Sequence, residues 1–168
     1  LSGTHDIWGN VDRGPKLLFN TVDNDIFTLE TRLASRSFTN ENNMAGLILM
    51  FEEPDANTFD SVMFGAYRNN GLRVEGPSLS VGTSALSGVI TDIWLRIEGR
   101  ADRFAFRYST DGEVWQTVAT ELLRGKMLMS AGLFCKDWDV AATALQVEFD
   151  SMTYTAAPIP AGTLIGVK

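Results

Sequence analysis

Few side chains in this chain are placed to do covalent chemistry, and their spacing limits what they can do. Glu148 and Asp150 stand two residues apart in a strand-like run, and residues i and i+2 of a strand point to the same face. Glycoside hydrolysis needs two carboxyl groups about 5 to 5.5 Å apart for retention and further apart for inversion. Glu52, Glu53 and Asp55 form a second acidic cluster, but Pro54 and Asn57 beside them mark a solvated loop rather than a buried acid with a raised pKa. The single cysteine, Cys135, excludes an internal disulfide and a cysteine-based zinc cluster. It reads as a small buried thiol in the run Ala131 to Lys136. The single histidine, His5, lies in the terminal segment, so nothing in the pattern pairs it with Cys135 for catalysis.

Binding chemistry is better supplied. A sugar offers flat C–H faces and a rim of hydroxyls, so its sites join an exposed ring to amide, carboxylate or guanidinium groups. Trp138 falls in the charged loop Lys136-Asp137-Trp138-Asp139 and has no obvious core to fill, which makes Trp138 and Asp137 ligand candidates. Trp94 projects opposite to Leu95, beside Arg96 and Arg107. That outward face is either a ligand surface or a solvated one with a cation–π contact between Trp94 and Arg107. Tyr67, with Arg68, Asn69 and Asn70 at a hairpin tip, adds hydrogen-bonding groups, although turn chemistry alone explains Asn70-Gly71. Arg73 serves a surface salt bridge equally well, and Trp115, facing Tyr108, belongs to the core.

The elements that must position these residues are strands. Leu95 and Ile97 alternate with Trp94, Arg96 and Glu98, and Phe104, Phe106 and Tyr108 alternate with Arg103, Ala105 and Arg107. That is the period of half-buried strands. Setting Leu95 opposite Phe106 puts Ile97 against Phe104, Glu98 against Arg103 and Trp94 against Arg107, so each face is chemically consistent. Asp111-Gly112 predicts a two-residue type I′ turn after that pair. Phe27 to Leu33 alternates in the same way, while Ala45 to Phe51 is nearly continuously apolar, as in a strand buried on both sides. Phe59 to Arg68 and Leu72 to Glu75 form a second hairpin around Asn69-Asn70-Gly71. Pro77 to Val89 reads as a loop with one weak strand, Glu121 to Gly125 as a short helix or turn, and Met127 to Cys135 and Leu145 to Tyr154 as the closing strands. Roughly ten to twelve short strands and no amphipathic helix longer than two turns predict an all-β sandwich.

The chain has 168 residues, the length of one domain. A formal charge of −7 argues against nucleic acid or an anionic membrane as partner, since its net field repels both. The longest apolar run, Met44 to Phe51, is too short to insert across a bilayer, and the opening residues lack the pattern of a signal peptide. Residues 1–155 are expected to form the sandwich, with the opening stretch Leu1 to Lys16 running irregularly along a sheet edge. The tail 156–168, which carries two prolines, reads as a linker toward a further domain.

The run Trp94-Leu95-Arg96-Ile97, the aromatic strand after it and Ser109-Thr110-Asp111-Gly112 to Trp115 resemble a concanavalin A-like lectin/glucanase domain. So do FTLETRL, AGLILMF, AGLF and FDSMTY between Phe27 and Tyr154. More narrowly the chain is similar to accessory domains of bacterial β-xylosidases and other secreted glycoside hydrolases, and to laminin-G-like domains. These motifs are core and turn residues, so they speak to fold more than to function. The resemblance implies a two-sheet antiparallel jelly roll that holds polysaccharide or oligosaccharide on its concave sheet or rim loops. It also implies a structural calcium, with Asp150 on the last strand and Asp6 in the N-terminal segment as ligands. Retaining glucanases of the superfamily carry E-x-D-x-x-E, but here Glu148-Phe149-Asp150 is followed by Ser151-Met152-Thr153 and the third acid is missing. The expected function is therefore a non-catalytic carbohydrate-binding module, extracellular and attached to neighbouring domains of the same chain. A structural or adhesive sandwich domain is the alternative of a different class.

Overall fold

The alternation of apolar and polar residues produces strands throughout. The computed structural model describes residues 5–8, 11–12, 14–21, 26–37, 43–52, 60–67, 71–76, 79–85, 92–100, 103–123, 127–138 and 146–157. Along the chain these strands are β1 (Ile7–Trp8), β2 (Val11–Asp12), β3 (Lys16–Asn20), β4 (Phe27–Ser37), β5 (Asn43–Phe51), β6 (Ser61–Tyr67) and β7 (Gly71–Gly76). Then come β8 (Leu79–Ala85), β9 (Ile93–Gly99), β10 (Arg103–Ser109), β11 (Gln116–Leu123), β12 (Leu128–Asp137) and β13 (Gln146–Ala156). Every pairing between them is antiparallel. One sheet has six strands in the order β3-β12-β5-β6-β7-β8, and the other has five in the order β11-β10-β9-β4-β13. β1 and β2 form a small separate pair.

The two large sheets pack face to face, and the inward residues of each strand meet in one apolar core. Leu29, Leu33, Leu95, Ile97, Phe104, Phe106 and Tyr108 come from the five-stranded sheet, and Leu47, Leu49, Phe64, Leu72 and Val74 from the six-stranded one. Edge-to-face contact of Phe64 with Phe106, ring centroids 5.6 Å apart, joins the sheets near the middle. At one side Tyr154 of β13 meets Phe19 of β3 at 5.0 Å. Removing any of the fully buried phenylalanines from such a core costs about 3–5 kcal/mol.

The period-2 reading of β9 and β10 is correct in face and differs in register. Tyr108 pairs with Leu95, Phe106 with Ile97 and Arg107 with Arg96, a slip of two residues from the expected Leu95–Phe106 pairing. A two-residue slip keeps both faces intact, so hydrophobic pattern alone does not distinguish the two registers. The β10–β11 connection spans 110–115, longer than a two-residue turn. It is built by side chains. Ser109 Oγ accepts from the amides of Asp111 and Gly112, and Asp111 Oδ1 accepts from those of Glu113 and Val114. Gly112 has φ 79°, the left-handed conformation that glycine tolerates best. The segment expected as a short helix or turn at Glu121 is instead the end of β11. The tail from 158 onward, Glu53, Asp55 and Arg68 to Asn70 lie outside the described residues.

Candidate functional site

β5 carries the clearest local signal: its residues are almost all buried, on both sides. Ala45, Leu47 and Leu49 enter the central core, while Met44 and Ile48 point to the outer face of the six-stranded sheet. There they join Met63, Tyr67 and Phe134 in a second apolar cluster, with Ile7 of β1 laid over it and fully buried. In the row Phe134–Gly46–Gly65–Arg73 the two central positions carry no side chain. The strands approach so closely there that a Cβ at Gly46 would strike the Phe64 carbonyl oxygen, and one at Gly65 that of Ala45. Both glycines are nevertheless buried, so the middle of this face is covered, and Trp138 at its edge is only half-buried.

At that rim, Trp138 follows the last residue of β12 and stacks on Tyr67, with ring centroids 5.9 Å apart and planes 8° from parallel. The Arg73 guanidinium lies 4.9 Å from the centre of the Tyr67 ring, and Lys136 Nζ is 4.8 Å from the Trp138 ring. Below the rings is a buried charge network. Lys136, 2% exposed, pairs with one oxygen of Glu75, whose other oxygen receives Arg73 Nε at 2.7 Å. Asp6 Oδ1 stands 3.8 Å from the Lys136 ammonium and also accepts the Ile7 amide at 2.8 Å. Buried charges persist only when paired in this way, because transfer from water costs several kcal/mol per ion. The arrangement stacks a half-buried Trp138 ring on a Tyr67 ring that is only 6% exposed, beside one half-buried cation.

Tyr67 and Trp138, expected separately, are thus brought together, and Arg73, Glu75 and Lys136 complete the group. Trp138 is half-buried against the second cluster and not a loop ring without a core. Asp137, expected beside it in the ligand site, is buried at the end of β12, with its backbone paired to that of His5. It does not present its carboxylate at the rim. A signal for Glu75 and Lys136 existed: both share strand parity with residues that β5 requires to be covered on its outer side.

Trp94, Arg96 and Arg107 lie on the outer face of the other sheet. Register there sets Arg32 of β4 opposite Trp94 and Glu30 opposite Arg96. The Arg32 guanidinium stacks 5.0 Å from the Trp94 ring and bonds Asp92 at 2.8 Å and Asp150 at 2.9 Å. Those hydrogen bonds, Asp92 first, raise its pKa above the usual value. Arg96 bonds Glu30 and lies 3.5 Å from the centre of the Trp115 ring, and Arg107 pairs with Glu98 at 3.4 Å. The expected Trp94–Arg107 contact is therefore replaced by Trp94–Arg32, a consequence of the two-residue slip. Trp115, expected in the core opposite Tyr108, is half-buried on this outer face, and Gln116 takes its place beside Tyr108.

Asp6 and Asp150 are not brought together. Asp6 serves Lys136 on one sheet's outer face, and Asp150 serves Arg32 on the other's. A calcium shared by the two carboxylates does not fit this geometry. Glu148 and Asp150 are both exposed on a bulged stretch of β13, without the burial that tunes a glycosidase acid. Burial pushes the Cys135 thiol up to about 11, which leaves it protonated and inert at neutral pH. No helix among the described residues is long and apolar enough to cross a membrane.

Comparison with known proteins gives the geometry a family. A protein of unknown function from Saccharomyces cerevisiae superposes with a TM-score of 0.71 at 18% identity, covering 94% of this chain and 85% of that one. A GH43 protein of Bacillus licheniformis matches with a TM-score of 0.63 at 14% identity over 84% of this chain, which spans only 33% of the Bacillus chain. Sheep galectin-11, solved with glycerol, matches at 0.52 and 5% identity, covering 83% of this chain and 97% of that one. These likenesses establish the jelly-roll fold. No curated protein sequence matches the chain. A family model for the β-xylosidase C-terminal concanavalin A-like domain, an accessory rather than a catalytic domain, matches residues 9–155, and the chain belongs to that family.

Proposed function

We propose that this domain is a non-catalytic carbohydrate-binding module of a secreted multidomain glycoside hydrolase, and that it holds polysaccharide at the rim of the six-stranded sheet. The observation that carries this reading is the parallel pair Tyr67–Trp138, flanked by Arg73 and Lys136. A pyranose or furanose ring lies its C–H face on the exposed part of Trp138, which the buried Tyr67 holds in place, while the Arg73 guanidinium meets its hydroxyls. The partners are then a polysaccharide or oligosaccharide and the neighbouring domains of the longer chain.

Affinity electrophoresis against a set of plant and algal polysaccharides tests it. Retardation by at least one polysaccharide, lost in a folded Trp138→Ala variant, is the expected result. If the parent protein is retarded by none, a structural role gains. That second reading has one observation of its own. Leu17 and Leu18 on β3, with Met127 and Met129 around the start of the adjacent β12, are exposed large apolar side chains of the kind that meet a neighbouring domain.

A further inference from the structure

We infer that Glu75 sets the charge selectivity of this rim and that the site takes an uncharged sugar in preference to a uronate; the inference rests on the carbohydrate-binding reading of the same site. The network beneath the ring pair includes the cations Lys136 and Arg73 and the carboxylates Glu75 and Asp6. Glu75 is central because one carboxylate oxygen holds Lys136 and the other holds Arg73 at 2.7 Å. Its side chain is only 4% exposed, so it meets the ligand through these cations and not directly.

Arg73 is the charged group that a ligand on the ring platform reaches. It is 25% exposed and packs on the Tyr67 face. A guanidinium is the side chain best suited to grip a carboxylate in two parallel hydrogen bonds. Here one edge of that fork is already engaged by Glu75. A uronate arriving at Arg73 would compete with a buried carboxylate and stand close to its negative charge, inside the field of a chain carrying −7 overall. A hydroxyl group accepts a hydrogen bond from the same guanidinium without bringing charge. Selectivity against acidic sugars thus comes from a residue below the platform and not from the rings.

The test is calorimetric titration at low salt with neutral xylo-, cello- and galacto-oligosaccharides and with oligogalacturonate of the same length. The parent protein is expected to bind at least one neutral series about tenfold or more tightly than oligogalacturonate. Glu75→Gln should narrow or reverse that ratio. Because this variant leaves the buried Lys136 with Asp6 at 3.8 Å as its carboxylate partner, a double variant, Glu75→Leu with Lys136→Met, removes both buried partners and leaves Arg73 free of Glu75; it should shift the ratio in the same direction. Equal or tighter binding of oligogalacturonate by the parent, still dependent on Trp138, overturns the inference and leaves the sugar-binding reading standing. A folded double variant that keeps the parent's ratio overturns it too. No binding of any probe by the parent overturns both.

Discussion

The two outer faces of the sandwich use the same residue types to opposite effect. On the five-stranded sheet, Trp94 and Trp115 each carry an arginine, and the arginines are held by Glu30, Asp92 and Asp150. The side chains in these ion pairs are roughly a quarter to a half exposed, so water screens the charges. On the six-stranded sheet, Tyr67, Trp138, Arg73, Glu75 and Lys136 repeat the theme over a sealed apolar cluster, and the Lys136–Glu75 pair is almost wholly buried. Burial changes what each contact is worth. An exposed lattice can lose one member and rehydrate, whereas a buried pair that loses one member strands a charge.

That contrast is broken most severely at Lys136. Lys136→Met alone should lower unfolding free energy by about 3 kcal/mol, the low end for a broken buried pair, because Glu75 loses its buried cation and keeps only the half-buried Arg73. The double variant with Glu75→Leu should recover most of the loss in urea denaturation. If the single variant unfolds at the parent's midpoint, the network is more hydrated than its burial indicates.

Trp138→Ala should cost less, about 1–3 kcal/mol, since the ring is half-buried on Tyr67 and the second cluster. The same variant should abolish polysaccharide retardation, whereas Trp94→Ala should leave it unchanged. Retardation lost with Trp94 and kept with Trp138 would exchange the roles assigned to the two faces.

On the exposed lattice, Arg96→Ala removes the contact with Trp115 and the ion pair with Glu30, and should cost no more than about 1 kcal/mol. The loss should shrink further in 1 M salt, where charges at this exposure are screened. A salt-independent loss of several kcal/mol would show the lattice to be dry.

The smallest effect belongs to the β10–β11 turn. Amides of Val114 and Glu113, then the Ser109 hydroxyl, hold the Asp111 carboxyl below its usual pKa. A depressed folded-state value stabilises the protein above the ordinary carboxylate range, and this contribution fades as pH falls from about 4 through the folded value. Asp111→Ala should therefore remove a small part of the acid dependence of the melting temperature below about pH 4 and nothing above that slope. An unchanged acid limb in this variant would show that the turn's hydrogen bonds are made equally by the protonated form.

Much of the fold was legible because strand alternation is local. Leu95, Ile97, Phe104, Phe106 and Tyr108 read as one core face, and they form it. The uninterrupted apolar run in β5 read as buried on both sides, which announced that something covers the outer face without saying what. The candidate site was less legible. Tyr67 and Trp138 were visible singly, but Arg73 read as a plain surface charge, and the parity that marks Glu75 and Lys136 for burial shows only once their strands are in register with Met63 and Met44. Trp115 was misplaced because the turn before it is longer than two residues, and each extra residue changes the face to which a following side chain points.

Strand period determined that this chain is an all-β sandwich with these residues inside, because it depends only on neighbours two positions away. Only the tertiary structure decided which outer face is dry. Arg32 finds Asp92 and Asp150 at separations of 60 and 118 residues, and Lys136 finds Glu75 at 61. Burial of an outward side chain depends on what distant segment is laid over it, as Ile7 is over the six-stranded sheet, and no local pattern encodes that contact.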